Sequence, residues 1–129
     1  MRLSNITRNR REYLVKKLKF NYDKENDLFY TYKEDSQVYS NVMIGDFHIE
    51  FNKNGEVIGV EVLNASDVFY EYQIPTAFLE NIKEINIKIV IRNNLMLICL
   101  IINSMNQEKS AMITMNNVES AIMQEIEKI

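Results

Sequence analysis

The chain has one cysteine, one proline, three glycines and one histidine in 129 residues. Each scarcity excludes something. A single cysteine, Cys99, cannot form an internal disulfide, so no feature points to an oxidising compartment. It lies within the apolar run 95–102 and reads as a buried, inert thiol, because free cysteine packs as a small hydrophobe. So little glycine and proline, with no low-complexity tract, excludes long disordered linkers. A single histidine, His48, makes a poor start for a zinc site. The longest apolar run is about half of the ~20 residues a membrane-spanning helix needs. The first residues are basic but lack the apolar segment of a secretory signal. The expectation is a soluble, cytoplasmic protein with no membrane association. There is no glycine-rich phosphate loop, nucleophile elbow or C-x-x-C pair. No catalytic residue, cofactor or metal is therefore assigned, and an enzyme is not expected.

What is present is an ordinary apolar fraction, 47%, enough to build a core. The length suits one domain spanning 1–129. The net charge of −3 conceals an asymmetry. Residues 1–19 carry a net +6, through Arg2, Arg8, Arg10, Arg11, Lys16, Lys17 and Lys19 against Glu12, and the remainder carries −9. A basic head on an acidic body is a hint of interaction.

Along the chain, residues 2–17 are spaced as a weak helix, with Leu3, Ile6, Tyr13, Leu14 and Leu18 at intervals near three and four. Residues 18–22 and 28–32 alternate and are rich in aromatics, which favours a β-hairpin. A three-residue loop, Lys24-Glu25-Asn26, sets Tyr22 opposite Leu28, Phe20 opposite Tyr30 and Leu18 opposite Tyr32. All three pairs then share a face, and Asn26 takes the left-handed position such a loop requires. A two-residue loop sets Phe20 against Thr31 instead. Residues 33–45 read as a loop or irregular crossing strand.

The clearest signal follows. Two alternating stretches, 46–52 and 57–63, flank Asn54-Gly55. A two-residue turn there places Phe51 opposite Ile58, Ile49 opposite Val60 and Phe47 opposite Val62. Outward, it places Glu50 beside Gly59 and His48 beside Glu61. A slip of one residue exposes the whole apolar set. Residues 64–69 read as a strand exit into a turn, and Pro75 opens a helical turn over 76–82.

In the second half, Ile85, Ile87, Ile89 and Ile91 alternate as a half-buried strand, and Asn93-Asn94 marks a turn. Residues 95–102 are apolar on both faces, as in a central strand covered on both sides. A turn at 104–108 leads to a strand at 110–115. Asn116 with Glu119 resembles a capping box. Val118, Ala121, Ile122, Ile126 and Ile129 form the apolar stripe of a C-terminal helix. The fold class expected is α+β: an antiparallel β-meander of about six to seven strands, with a C-terminal helix and a weaker N-terminal one.

At Tyr22-Asp23-Lys24-Glu25-Asn26-Asp27-Leu28-Phe29-Tyr30, and again over Gly45–Phe51 and Asn54–Ser66, the chain resembles a small prokaryotic family catalogued as domain of unknown function 2283. The resemblance covers residues 18–69, with 70–129 adding strands and a helix. Asn54 stands where many members carry Asp or Gly, and Phe29 where a small residue is usual. The resemblance implies a β-meander and no established activity, and it supplies no catalytic residue. Some members are encoded beside small toxin-like proteins, which suggests an interaction role. A module of roughly 50 residues buries little core and needs a partner or a staple.

Three readings of function follow. The lead is a non-catalytic interaction or oligomerisation module, its partner a second copy or a small protein. The second is a nucleic-acid-associated regulator that uses Arg8, Arg10, Arg11, Lys16 and Lys17 on phosphates. The third is a metal or acid–base site on the polar face shared by Asp46, His48, Glu50 and Glu61. The alternative there is a solvated cross-strand ion pair. Asp23, Glu25 and Asp27 cluster at a turn, without the glycine and distal glutamate of a calcium loop. The crowded aromatics of the first hairpin, Phe29 and Tyr39 among them, are candidates for outward display and stacking.

Overall fold

Alternation with a period of two runs through most of the chain, and strands are the result. The computed structural model describes residues 10–116. Nine strands occur there: β1 (Arg10–Val15), β2 (Lys19–Asp23), β3 (Leu28–Tyr32), β4 (Ser40–Ile44), β5 (Phe47–Phe51), β6 (Val57–Val62), β7 (Ile82–Arg92), β8 (Leu95–Ser104) and β9 (Gln107–Asn116). Two short helices, α1 (Ala65–Tyr70) and α2 (Thr76–Leu79), link β6 to β7. The strands form a five-stranded sheet, β2-β3-β6-β5-β4, and a four-stranded sheet, β1-β7-β8-β9. Every pairing is antiparallel.

The fold is mainly β rather than α+β. The expected C-terminal helix lies outside the described residues, as does the start of the expected N-terminal one. Within residues 10–15 the helix expectation is wrong. This segment is an edge strand paired to β7, with Tyr13 opposite Ile89 and Val15 opposite Ile87. Its partner lies some seventy residues away in sequence, so local spacing could not reveal it. Residues 64–69, expected as a turn, belong largely to α1.

The inner faces of the two sheets share one core. Ile85, Ile87, Ile89, Met96, Ile98, Leu100 and Ile102 from the four-stranded sheet join Phe29, Ile49, Phe51, Val60 and Val62 from the other. The backbone N–H of Val57 on β6 donates to Tyr13 Oη on β1 at 3.0 Å, a polar tie between the sheets. Burial pushes the Tyr13 phenol above its ordinary value. Phe29, far from displayed, is fully buried and meets Phe69 of α1 edge-on, with ring centroids 5.3 Å apart.

The β5–β6 hairpin keeps the expected pairs Phe47–Val62 and Ile49–Val60, and the outward pairs His48–Glu61 and Glu50–Gly59. Nearer the turn, Phe51 pairs with Val57 instead of Ile58. The turn is one residue longer than expected, because Asn52 N–H bonds Glu56 C=O. The Asn52 side chain also accepts from the N–H groups of Asn54 and Glu56, each at 2.9 Å. Gly55 takes φ +78°, and a bulge on β6 restores the register beyond it.

The β2–β3 register differs by one residue from the one the apolar pattern favours. Phe20 pairs with Thr31 and Tyr22 with Phe29. Asp27, not Asn26, takes the left-handed backbone, at φ +53°. One residue of register turns β3 over. Phe29 and Thr31 face the core, and Tyr30 and Tyr32 face outward.

Candidate functional site

Two constellations of polar side chains emerge in the five-stranded half. The first joins the β2–β3 turn to α1. Asp27 accepts from Tyr22 Oη at 2.8 Å, from Ser66 Oγ at 2.6 Å and from Ser66 N–H at 2.9 Å. Its carbonyl also takes the N–H of Ala65 at 3.0 Å. The helix has no cap from its own Asn64 side chain, so Asp27 serves from across the fold. Burial works to raise the Asp27 carboxyl, but the bonds from Ser66 and Tyr22 outweigh it and hold the group below its ordinary value. Burial, reinforced by the neighbouring carboxylate, pushes Tyr22 up to about 12. These groups are consumed in holding structure. Asp23, which caps Asn26, is likewise a turn-former.

The second constellation lies on the outward face of the same sheet. His48 Nδ1 and Glu61 Oε1 are 3.2 Å apart. Tyr30 Oη donates to Glu50 Oε1 at 2.7 Å. Glu50 reaches Tyr30 across β6 because position 59 is glycine; a Cβ there would collide with the Glu50 carboxylate. Tyr30 and Tyr32 stack, with centroids 5.0 Å apart and planes at 21°. Burial and then the Glu50 carboxylate raise the Tyr30 phenol well above its ordinary value.

Of the four residues expected on this face, Glu50, His48 and Glu61 are brought together. Asp46 is not: it sits in the β4–β5 turn, with its carboxylate facing the Asn64 amide at 3.5 Å. Tyr30 and Tyr32 join Glu50, His48 and Glu61 because β3 pairs with β6 in the register Tyr30–Glu61 and Tyr32–Gly59, which local alternation does not show. Among the described residues, no group of three His, Cys, Asp or Glu side chains gathers as metal ligands would.

Of the basic candidates, Arg10 opens β1. Arg8 lies outside the described residues. Arg11 leans over the Tyr13 ring, 6.0 Å from its centroid. Lys16 and Lys17 are exposed beyond the strand, and the Lys17 backbone N–H is held by Asn86 Oδ1 at 2.8 Å. Alternation along a strand sends neighbouring side chains to opposite faces.

The first constellation is built from Tyr22 and Asp27, in the first of the three stretches that carry the family resemblance, and Ser66, at the end of the last. Residues 19–66 match the family described as protein of unknown function, DUF2283. The DUF2283 segment is thus the five-stranded sheet together with the start of α1. An uncharacterised protein of Methanocaldococcus jannaschii is 43% identical over 53 residues, which is 41% of this chain and 46% of that protein. The likeness therefore spans under half of each. No solved structure matches.

The outer face of the four-stranded sheet is different in kind. On β8, the inward residues Met96, Ile98, Leu100 and Ile102 are fully buried, while Leu95, Leu97, Cys99 and Ile101 on the other side are only half-buried. The expectation that both faces are covered fails among the described residues, and so does the expectation of a buried thiol. Val90 of β7 and the exposed Met112 of β9 flank this row, and the exposed Leu14 of β1 lies beyond Lys88. The Glu12–Lys88 pair, at 3.1 Å, lies at the β1–β7 side. Among the described residues, no helix is long and apolar enough to cross a membrane.

Proposed function

We propose that the protein is a non-catalytic assembly module that associates with a second copy through the outer face of the four-stranded sheet. The observation that carries this reading is the apolar belt of Leu14, Val90, Leu97, Cys99, Ile101 and Met112. Val90, Leu97, Cys99, Ile101 and Met112 adjoin on β7, β8 and β9, Lys88 stands between Leu14 and Cys99, and Glu12, Asn86, Ser110 and Thr114 lie around them. An apolar centre inside a polar rim is the anatomy of a protein interface. An outward apolar patch also calls for a cover. The belt lies on a regular sheet, which suits face-to-face packing of two such sheets about 10 Å apart. The polar groups of the DUF2283 segment support the non-catalytic side of the reading. Tyr22 and Ser66 both donate to Asp27, and His48 is paired with the Glu61 carboxylate.

The test is light scattering on the full chain from low to high micromolar concentration, with Cys99 labelling in parallel. Association predicts a mass of two chains and a thiol that becomes protected as concentration rises. A cover supplied by residues 117–129 of the same chain predicts one-chain mass with constant protection. A bare face predicts one-chain mass with constant reactivity. Either of the last two outcomes rejects the proposal.

A further inference from the structure

The outward face of the five-stranded sheet carries an independent surface, on the opposite side of the fold from the apolar belt. Tyr32, Gly59, Glu50 and Asn41 follow one another across β3, β6, β5 and β4, and Tyr30, Glu61, His48 and Met43 form the adjacent row. We infer that this face binds a protein segment that presents arginine side chains.

Three features carry the inference. The stacked tyrosines offer a flat π-face, and Tyr32 is 37% exposed. A guanidinium is planar and weakly hydrated, so it lies on such a face better than an ammonium does. Beside the stack stand two half-buried carboxylates, Glu50 and Glu61. Each uses one oxygen internally, Glu50 Oε1 for Tyr30 and Glu61 Oε1 for His48. The second oxygen of each accepts an incoming donor, and guanidinium is the donor whose fork matches carboxylates.

The third feature is rigidity with charge of one sign. The Tyr30–Glu50 bond across Gly59 fixes the ring and the carboxylate before a ligand arrives, which lowers the ordering cost of binding. Lys19, at the rim beside Tyr32, is engaged by Glu34 at 3.9 Å. With Glu50 and Glu61 on this face and the whole chain at net −3, a cationic partner is favoured over the phosphates of a nucleic acid. The occupant is an arginine-bearing segment of a different protein, since Arg10 and Arg11 of this chain are already built into β1.

The experiment is a titration of the full chain, carrying Met112→Lys to keep it monomeric, with tetra-arginine amide. Tetra-citrulline amide, its uncharged counterpart, is the control, and amide chemical shifts are the readout. The expected result is salt-sensitive binding with shifts centred on Tyr30, Tyr32, Glu50 and Glu61. Tyr32→Ala and Glu50→Gln should each weaken it by about fivefold or more, the scale of one lost cation–π or charged contact. Glu108→Gln, on the other sheet, should leave it unchanged. Equal binding of the citrulline peptide, shifts centred elsewhere, or wild-type affinity in both variants overturns the inference. Tyr32 is exposed and Glu50→Gln is isosteric, so both variants keep the fold, which retained shift dispersion confirms. Because the monomeric background is used, failure here says nothing about association through the apolar belt, and the converse also holds.

Discussion

Replacing Asp27 tests whether the polar residues of the DUF2283 segment are structural. The carboxylate accepts three bonds, at 2.8, 2.6 and 2.9 Å, from two elements distant in sequence. A hydrogen bond to a charged group contributes about 1.5–3 kcal/mol when shielded, and less at a half-exposed site. Asp27→Asn keeps the backbone, because asparagine tolerates a φ of +53°. It loses the charge and one acceptor, so a loss of about 1–2 kcal/mol is expected. Asp27→Ala loses all three bonds and places a Cβ in left-handed backbone, for a total of about 3 kcal/mol. Urea unfolding followed by circular dichroism measures this, as a lower midpoint at constant slope. In melting experiments each kcal/mol appears as about 4 °C.

The Asp27 carboxyl is held below its ordinary value in the folded state. Its contribution to stability is therefore complete above the unfolded value near 3.9 and fades as pH falls through the folded one. The gap between wild type and Asp27→Asn should close in that acid range. Equal stability of the two at pH 7, or a gap that widens in acid, would refute the reasoning.

Other expected outcomes concern single sites. Gly59→Ala displaces the Glu50 carboxylate from Tyr30, so the Tyr30 phenol should titrate at lower pH than in wild type, as followed by ultraviolet absorbance. Ile89→Ala, fully buried between the sheets, should destabilise by about 2–4 kcal/mol through transfer and cavity terms, as measured in urea. Ser40 Oγ is buried without a hydrogen-bond partner, so Ser40→Ala should be neutral or stabilising by up to about 1 kcal/mol in the same assay.

How much was legible in the sequence depended on whether local chemistry and long-range pairing agreed. The β5–β6 hairpin was legible because Asn54-Gly55 marks the turn and Phe47, Ile49, Val60 and Val62 alternate around it. The β2–β3 register was not, because the apolar pattern favours Phe20 against Tyr30, whereas the fold sets Phe20 against a buried Thr31. What decides it is Asp27, whose carboxylate is held by Ser66 some forty residues on. That contact also pulls Asp27 rather than Asn26 into the left-handed conformation. Tyr30 and Tyr32 were consequently assigned to the wrong face. In β1, Tyr13, Leu14 and Leu18 fit a loose helical spacing, while the β7 edge that claims the segment is invisible locally. In β8 the sequence showed apolar residues on both faces and implied cover on both. The chain itself covers one face among the described residues, and the apolar belt is the remainder.

The most direct test of self-association is the mass of the full chain at high micromolar concentration, measured beside Met112→Lys and Leu14→Glu. Both positions are exposed, at 48% and 46%, so the charges spare the core and fall only on the apolar belt. The account predicts twice the mass of one chain for the wild type and one-chain mass for each variant. One-chain mass for the wild type, or an oligomer that both charges leave intact, would contradict it.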